Sequence, residues 1–471
     1  MTAVERERSR SSGLVTVAPS PEALIEEARQ RQRRRRRRIV AICLLGIVAG
    51  TAGFSVARLK SDGASKTTHS SGSGPFVDRA AFAGHGKLAF VSLGALYVLD
   101  GKSQQLRRVT TRDSDVANPH FSPNGRWLTY TLGNDNVGVA GADGSAPRTI
   151  LAASSGDQGG RWLPNSELLV GRRIYRISGG GKPMRVGSVP VSLAAWSPSG
   201  NRYVFVVRKL SYGKSGSFKG VEKLEVSRSL DGRRTTWVSD PISFNRSSGF
   251  DGDAINGVVV LPNREGVLYW LDPDQSASLA ADGMALNLIR RPGGRPVKLG
   301  VTVGDTISVG TGGTIAIGGG GNRYAWLTKN VRVCAVASAS CHGLGTRAGS
   351  LTIDPAWSPD GQTLAFVEAA TEPSAAAFTQ PVVSHWYSTH NLWLLRQGSK
   401  QPVEVPGTRG AAAPVWSQNS SSVLFVADDA LWLIPSLGAK PAKIAAPFFP
   451  PTAWPNYYGQ IAWANEFSWQ S

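Results

Sequence analysis

The sequence predicts an all-β protein whose main domain is a single β-propeller of eight blades, with seven blades as the alternative. Three observations favour this fold class. Glycine accounts for 54 of the 471 residues, aromatic residues (14 Trp, 15 Phe and 10 Tyr) recur along most of the chain, and a short turn motif returns at intervals of 34 to 64 residues. Glycine and aromatic residues suit short strands joined by tight turns. Repetition at this spacing is typical of propellers and solenoids.

Composition and charge exclude several classes of protein. Hydrophobic residues make up 41% and charged residues 18%, so the chain is neither a highly charged disordered protein nor a disulfide-stapled miniprotein. The net charge is +19, and residues 1–38 hold +6 of it, with eleven Arg and five Glu. Six of these Arg form the run Arg33–Arg38. This run directly precedes an apolar stretch, which favours a membrane flank, and we expect no nucleic-acid partner.

The stretch 39–57 has no charged residue and predicts one transmembrane helix. Its nineteen residues, at a rise of about 1.5 Å each, cover about 28 Å, close to the hydrocarbon thickness of a bilayer. A cleaved signal peptide is an alternative, because Ser55–Ala57 places small residues before Arg58, and a buried core helix is another. Positively charged flanks stay in the cytoplasm. The spanning helix therefore predicts a single-pass plasma-membrane protein, with residues 1–38 cytoplasmic and the C-terminal domain extracytoplasmic.

Residues 58–76 predict a tether between this helix and the globular domain. They are rich in Ser, Thr and Gly and show no apolar periodicity. A flexible chain of this length has a root-mean-square reach of roughly 25 Å. The propeller is then expected over residues 77–471.

A repeated turn carries the propeller prediction. It consists of a large apolar residue, which we call the head, followed by Ser-Pro-x-Gly and a strand. Pro fixes φ, Asn or Asp accepts local backbone hydrogen bonds, and Gly takes a positive φ. The Asn or Asp is therefore interpreted as a turn former and not as a catalytic group. Clear copies have their heads at Phe121, Trp196 and Trp357; weaker copies begin at Trp162, Val260, Val309 and Trp416, and an eighth head is expected at Trp463.

The two ends of the domain favour a closed ring over a solenoid. A blade without its first strand is predicted at the start of the domain. Its second, third and fourth strands are expected at 86–91, 95–99 and 106–110. Residues 457–463 predict that missing strand at the far end of the chain. Pairing of the two ends closes the ring and removes its exposed edges.

The copy at Trp357–Phe366, Trp-Ser-Pro-Asp-Gly-x-x-Leu-Ala-Phe, followed by Asn391–Leu395, resembles the WD-like repeat of TolB-type β-propellers. The resemblance covers most of residues 77–471 and, with the apolar stretch, implies a membrane-anchored bacterial envelope protein. Related rings occur in envelope proteins, lyases, peptidase gating domains and surface lipoproteins, so the repeat is more specific for fold than for function. TolB itself is similar only in its propeller, and residues 1–76 leave no room for its preceding α/β domain, which argues against a Tol–Pal role.

Two of the three cysteines predict a structural crosslink. Cys334 and Cys341 are separated by six residues, a spacing that suits a disulfide at a hairpin tip in an oxidising compartment. Free thiols are an alternative. A zinc site with His342 is a further alternative, but it lacks the second ligand pair that structural zinc sites have.

Motifs for catalysis and for cofactors are sparse, and we expect no enzyme activity and no cofactor or metal. Gly101–Ser103 lacks the earlier glycine of a phosphate loop. Asp251–Asn256 resembles the start of a calcium loop without its final carboxylate. A lyase or glycosidase that uses carboxylates or His at the central channel is the alternative function.

The favoured function is an interaction module at the cell envelope, because a rigid ring with variable loops is a scaffold for recognition. Three insertions, 210–231, 272–282 and 369–389, are the expected binding surface. The positive charge predicts a polyanionic wall component or an envelope protein as partner. The candidate binding residues are Lys214, Lys219, Lys223, Arg228, His385, Trp386, Tyr387 and His390.

Overall fold

The computed structural model describes residues 74–112, 114, 116–133, 136–150, 160–179, 182–189, 192–213, 217–245, 249–262, 265–272, 283–321, 324–344, 347–372, 385–448 and 463–471. Residues 72–471 belong to one compact unit. The predicted cytoplasmic tail, membrane helix and most of the tether lie outside the described residues. Among the residues that are described, no helix has the length and apolar character needed to cross a membrane.

The regular secondary structure of the described residues is almost entirely β-strand. The first strands are β1 (Phe76–Val77), β2 (Lys87–Ser92), β3 (Ala95–Asp100), β4 (Gln105–Arg108), β5 (Ala117–Phe121), β6 (Trp127–Leu132), β7 (Asn136–Gly141), β8 (Arg148–Ile150), β9 (Gly160–Trp162), β10 (Leu168–Val170), β11 (Arg173–Ile177) and β12 (Pro183–Ser188). Next come β13 (Ser192–Trp196), β14 (Tyr203–Tyr212), β15 (Phe218–Ser227), β16 (Thr235–Asn245), β17 (Gly249–Asp251), β18 (Ala254–Val260), β19 (Val267–Asp272), β20 (Met284–Ile289), β21 (Val297–Val309), β22 (Thr314–Gly319), β23 (Val331–Ala335) and β24 (Ser340–Gly343). The last are β25 (Ser350–Trp357), β26 (Thr363–Ala370), β27 (Asn391–Arg396), β28 (Val403–Glu404), β29 (Ala412–Trp416), β30 (Val423–Ala427), β31 (Ala430–Ile434), β32 (Ala442–Ala446) and β33 (Phe467–Gln470).

These strands form antiparallel sheets in which neighbours along the chain pair with each other. Strands β5–β8, β9–β12 and β25–β28 each form a four-stranded sheet, β13–β17 form a five-stranded sheet, and β18–β24 form a seven-stranded sheet. Strand β33 joins β2–β4, and β1 joins β29–β32. The first strands of successive sheets contact each other, as β33 with β5, β5 with β9, β13 with β18 and β25 with β29. Sheets arranged side by side about an axis make a β-propeller.

Strands from both ends of the chain complete the ring. In the first sheet, β33 pairs with β2, with Trp469 opposite Leu88. In the last sheet, β1 pairs with β32, with Phe76 opposite Ala446. Phe90, Leu424, Ile444 and Phe467 share one core cluster, so the first and last sheets also pack against each other.

The closing strand lies later in the chain than the sequence predicts. Residues 457–462 lie outside the described residues, and Trp463 begins a 3-10 helix, Trp463–Asn465. The head of this sheet is Trp469, because it pairs with Leu88 as Trp416 pairs with Val423 in the last sheet. The predicted head at Trp463 is therefore wrong by six positions.

A buried serine organises the repeated turn in the copies at Phe121, Trp357 and Trp416. The Ser358 hydroxyl donates to Oδ1 of Asp360 at 2.5 Å and accepts the backbone N–H of Thr363 at 2.9 Å. These bonds close the turn between the first and second strands and make the Asx residue a turn former. The same pair of bonds joins Ser122 to Asn124 and Trp127, and Ser417 to Asn419 and Ser422.

The turns also bind neighbouring sheets together. Ser166 and Ser420 occupy the glycine position of the weaker copies, with φ of 63° and 61°. Their hydroxyls accept the backbone N–H groups of Asn124 and Asp360, both at 3.0 Å, from the turns of the preceding sheets. Equivalent positions are thus adjacent, so the first strands run in the same direction around the axis. We call the face of the ring with these turns the turn face, and the opposite face the insertion face.

Candidate functional site

Each of the three predicted insertions includes a connection between the second and third strands of its sheet on the insertion face, after Tyr212, Asp272 and Ala370 respectively. The prediction of an insertion over 210–231 is wrong for most of its length, because β15 (Phe218–Ser227) lies within it and residues 228–231 follow that strand at the turn face. Because strands alternate in direction and the first strands run parallel, all such connections emerge opposite the repeated turns. Residues 214–216, 273–282 and 373–384 of these insertions lie outside the described residues.

The β13–β17 sheet has three long strands. Its strands β14, β15 and β16 have 10, 10 and 11 residues. Their register places Tyr212 opposite Phe218, and Phe218 opposite Phe244, in the outermost row. The hairpin between β14 and β15 begins beyond this row, where the N–H of Gly213 donates to the carbonyl of Ser217. We call the described outer part of this sheet, residues 207–213, 217–223, 239–245 and 249–251, the protruding sheet.

Three lysines share one side of the protruding sheet. Lys209 lies opposite Val221, and Lys219 and Lys223 precede and follow Val221 at two-residue spacing on β15. Residues two apart on a strand point to the same side, and diagonal neighbours are about 7–8 Å apart. Lys209 and Lys219 are exposed and Lys223 is half-buried. Within the described residues, none of the three has a carboxylate within 4.0 Å. We call this surface the lysine face.

Two other basic residues predicted for this site are not part of the lysine face as described. Lys214 lies outside the described residues. Arg228 is exposed but follows the end of β15 at the turn face. The structure therefore divides the basic residues that the sequence analysis grouped together. Lys209, which the sequence analysis did not select, lies near Lys219 on the lysine face. Lys209 directly follows Arg208 on β14, and side chains alternate between the two sides of a strand. This alternation, which puts Lys209 on the side opposite Arg208, is the signal that could have identified it.

The opposite side of the protruding sheet carries acidic groups and holds the sheet to its neighbour. Oε1 of the buried Glu222 accepts a hydrogen bond from Nε of Arg208 at 2.5 Å, and Oε2 accepts the backbone N–H of Ile255 on β18, also at 2.5 Å. Burial raises the pKa of Asp240 on this side, and the charges of Asp253 and Glu222 raise it further. Arg208, Glu222 and Asp240 thus lie on the side opposite the three lysines. Asp251, which pairs with Ser243 next to Lys219, lies on the lysine side.

The outermost row of the protruding sheet is aromatic. The rings of Tyr212 and Phe218 are 6.2 Å apart, and those of Phe218 and Phe244 are 5.8 Å apart and stacked. Tyr212 is 73% exposed. We call these three residues the aromatic row. A groove of about 730 Å³ lies behind it, lined among others by Lys209, Lys219, Ile242, Ser243 and Asp251.

The predicted binding residues of the third insertion are mostly core residues. Trp386 is 1% exposed and His390 is fully buried, with their rings 4.4 Å apart. Nδ1 of His390 lies 3.1 Å from the carbonyl oxygen of Ala411, and burial lowers its pKa to about 3. Tyr387 is half-buried, and only His385 of the four is exposed. Trp386 and His390 therefore support the ring and are not available as surface ligands.

The two cysteines lie far from the insertion face. Cys334 and Cys341 are joined by a disulfide with an S–S distance of 2.02 Å, and they are opposite each other on β23 and β24. The connection between these third and fourth strands is on the turn face. The crosslink therefore fixes a hairpin there and takes no part in the lysine face.

The segment with calcium-loop character also forms sheet structure. Asp251 ends β17, and Nδ2 of Asn256 donates to Oδ2 of Asp272 on the next strand at 3.2 Å. Across the described ranges, no group of three or more His, Cys, Asp or Glu side chains could hold a metal ion.

Three further titratable residues lie on or directly before first strands. His120 and Arg161 directly precede the heads Phe121 and Trp162, and burial lowers the pKa of both side chains. Nη1 of Arg161 donates to the carbonyl of Ala194 at 2.9 Å. Burial raises the pKa of Glu466, beside β33, to about 7. The sequence analysis missed all three, although a charged residue directly before a head was a visible signal for two of them.

Comparisons with known proteins found solved structures that are similar to the chain at low sequence identity. No protein-family model matches the chain, and no curated protein matches it. Among solved structures, the chain is similar to oligogalacturonate lyase from Vibrio parahaemolyticus, with 10% identity over 76% of this chain and 85% of that chain and a TM-score of 0.38.

Two further solved structures are similar. TolB from Acinetobacter baumannii has 13% identity over 69% of this chain and 64% of that chain, with a TM-score of 0.31. The dihydro-heme d1 dehydrogenase NirN has 12% identity over 79% and 74%, with a TM-score of 0.46. In fold, the chain is a TolB-like β-propeller. The strand order and the repeated turn carry this assignment.

Proposed function

We propose that this chain is a membrane-anchored, extracytoplasmic interaction module that binds an anionic partner at the cell envelope through its insertion face. The observation that carries the proposal is the lysine face, in which Lys209, Lys219 and Lys223 are neighbours without a carboxylate partner among the described residues. Neighbouring like charges on a sheet repel each other and destabilise it. An anion that bridges the three ammonium groups relieves this repulsion.

The rest of the ring supports a binding role. The turn face is fixed by hydrogen bonds between neighbouring turns, such as Asp360 to Ser420, so it offers a rigid base. The protruding sheet is anchored in turn by the bond from Ile255 to Glu222. A preorganised surface loses little conformational entropy on binding.

The membrane anchor is proposed from the sequence of residues 39–57 and their basic flank. The first described strand, β1, starts at Phe76 opposite Ala446, the last residue of β32. Fourth strands such as β32 end at the insertion face, so the chain enters the ring on that face. A reporter active only outside the cytoplasm, fused to Ser471, is expected to be active. Activity of a cytoplasmic reporter at the same position would refute the orientation.

We also propose that the ring has eight blades. The seven-stranded sheet divides at β21, whose early residues pair with β20 (Leu288 with Val297) and whose late residues pair with β22 (Val309 with Ile315). The early residues thus form the fourth strand of one blade, and the late residues, beyond the register shift between Thr302 and Ile307, form the first strand of the next. An experimental structure with seven blades would refute this count.

The binding proposal is tested with a soluble polyanion. Long-chain polyphosphate is titrated into residues 72–471, the compact unit that contains both closing strands. We expect binding that weakens from low to physiological salt and that falls when Lys209, Lys219 and Lys223 are all replaced by Gln.

The matched control replaces Lys102, Lys400 and Lys440 by Gln. These lysines are exposed in connections between third and fourth strands on the turn face, and the change in net charge is the same. Equal loss of binding in both triple variants would show that only net charge matters and would refute the site.

A catalytic ring is the second candidate, and Glu466 favours it. A carboxyl group with a pKa of about 7 is half protonated near neutral pH, which suits a general acid or base. Residues 72–471 would be incubated with acidic and neutral glycans. Product formation that Glu466→Gln abolishes would establish this function, whereas absence of turnover with every glycan would remove it.

A further inference from the structure

We infer that the groove on the lysine face binds a short oligopeptide with two charged termini, its carboxylate at the lysines and its ammonium group at Asp251. This inference rests on the proposed function, because it names a ligand of the lysine face. Three features of the described residues support it, namely a row of polar side chains across the sheet, an apolar floor in the groove, and the distance between the charges.

A row of four polar side chains crosses the lysine face. Its members lie on the successive strands β14 to β17 and pair with each other in order, namely Ser211, Lys219, Ser243 and Asp251. Directly paired residues point to the same side of a sheet. The row therefore presents an ammonium group and a carboxylate on one surface, with a serine between them.

The two charges of this row are open to a ligand. Neighbouring strands are about 4.8 Å apart, so the Cα atoms of Lys219 and Asp251, two strands apart, are about 10 Å from each other. Both side chains are exposed. Within the described residues, the Asp251 carboxylate has no basic nitrogen within 4.0 Å, and Lys219 has no carboxylate within that distance. Neither charge is therefore paired within the described part of the sheet.

The groove between these charges has an apolar floor. Val221 pairs with Lys209 on one side and with Pro241 on the other. These three residues line the groove together with Lys219 and Asp251, and its volume is about 730 Å³. Methyl groups of a ligand can pack on Val221 and Pro241 while its charged ends reach the lysines and Asp251.

The separation of the charges selects the length of the ligand. An extended peptide advances about 3.3–3.6 Å per residue, so the two termini of a tripeptide are about 10 Å apart. A single amino acid carries both charged groups on one carbon atom and cannot reach both ends of the row. A polyanion that binds Lys209 and Lys219 is repelled by Asp251. A tripeptide with free termini is complementary to all three side chains.

The test measures binding of the tripeptide Ala-Ala-Ala to residues 72–471 at low salt by ligand-observed NMR. Three related probes each lack one part of the match. The N-acetyl tripeptide has no ammonium group, the tripeptide amide has no carboxylate, and free alanine has both charges at too short a spacing. Each probe loses one exposed ion pair and should bind about 2- to 5-fold more weakly than Ala-Ala-Ala.

Asp251→Asn should change the binding of two ligands in opposite directions. It should weaken the binding of Ala-Ala-Ala about 2- to 5-fold, because the ammonium group loses its partner. It should strengthen the binding of long-chain polyphosphate, because a repelling carboxylate is removed. A variant that failed to fold would lose both ligands, so the opposite signs exclude that explanation. Lys219→Gln should weaken the binding of both.

The matched control is Asp253→Asn. Asp253 is also exposed, and its charge raises the pKa of Asp240, which lies on the side of the sheet opposite the lysines. The control removes the same charge two residues from Asp251 and should leave the binding of Ala-Ala-Ala unchanged.

The outcomes separate this inference from the proposed function. Binding of polyphosphate without binding of Ala-Ala-Ala, or equal affinity for this peptide and its N-acetyl form, overturns the peptide as ligand and leaves an anion-binding module. Binding of neither ligand overturns both proposals. Equal effects of Asp251→Asn and Asp253→Asn on the binding of Ala-Ala-Ala overturn the role of Asp251.

Discussion

Two buried titratable groups are expected to act on stability in opposite directions over the same pH range. The two variants to compare are His390→Asn and Glu466→Gln. Burial lowers the pKa of His390 from 6.5 to about 3 and raises the pKa of Glu466 from 4.5 to about 7. One pKa unit corresponds to about 1.4 kcal/mol. The largest effects are therefore about 5 kcal/mol for His390 and about 3 kcal/mol for Glu466.

The two signs follow from which state binds the proton. Below pH 6.5 the unfolded chain protonates His390 and the folded chain does not, so stability falls as the pH is lowered from 6.5 to about 3. For Glu466 the folded state binds the proton first, so its contribution is complete below pH 4.5 and is lost as the pH rises through 7. Between pH 4.5 and 6.5 the two slopes are each about 1.4 kcal/mol per unit and cancel.

The assay is urea unfolding of residues 72–471 at a series of pH values from 4.5 to 8. Asn at position 390 can donate to the carbonyl of Ala411 as Nδ1 does, and the smaller side chain lowers stability by a constant amount. The readout is therefore the slope. Relative to the parent chain, His390→Asn should make stability fall more steeply with rising pH between 4.5 and 6.5. Glu466→Gln should make it rise with pH over the same interval. An unchanged slope in either variant would refute the burial argument for that residue.

Three further predictions concern the fold. Ser358→Ala removes a buried hydroxyl that serves Asp360 and Thr363 and should cost about 1–3 kcal/mol in urea unfolding, whereas Ala at the exposed Ser199 should cost little; equal costs would show that the serine does not organise the turn. Gly86→Ala should loosen ring closure and speed proteolysis of the C-terminal strand, because a Cβ there would overlap backbone atoms of Gln470 and Ser471. Gly84→Ala shares the positive φ but meets no atom within 4 Å, so similar proteolysis of both variants would contradict this. The denatured full chain should show one reactive thiol without reductant, at Cys43, and loss of the Cys334–Cys341 bridge should cost about 2–3 kcal/mol; three thiols would refute the bridge.

Local sequence determines most of the fold, and this explains which features could be predicted. The turns at Phe121, Trp196 and Trp357 need only side chains within five or six residues of each other, so their pattern is visible in the sequence. Trp469 escaped prediction because its turn is not contiguous. The chain ends two residues later, and the second strand it pairs with, which contains Leu88, lies near the other end of the domain.

The candidate site could be predicted only in part, because exposure depends on distant segments. His390 and Trp386 occur in a long insertion and have side chains typical of binding loops, yet the ring of His390 packs beside Ala411 from the next sheet. Lys219 and Lys223 were visible as charges, but the side of the sheet on which they lie with Lys209 depends on strand register. The one-residue alternation that puts Glu222 and Arg208 on one side puts Lys209 and Lys223 on the other.

The location of the binding surface follows from which connections between strands keep a constant length. On the turn face, each turn accepts or donates a hydrogen bond to its neighbour, as Asn124 does to Ser166, so a change of length in one turn would disturb two sheets. Among the described connections between second and third strands, the N–H of Glu372 donates to the carbonyl of Trp326 in the preceding sheet at 3.2 Å, but this bond belongs to no repeated motif, so these connections are freer to lengthen. Insertions therefore accumulate on the opposite face, and the protruding sheet is the described example. The insertion face can vary while the rest of the ring stays the same. Recognition can therefore change on this face without loss of the fold.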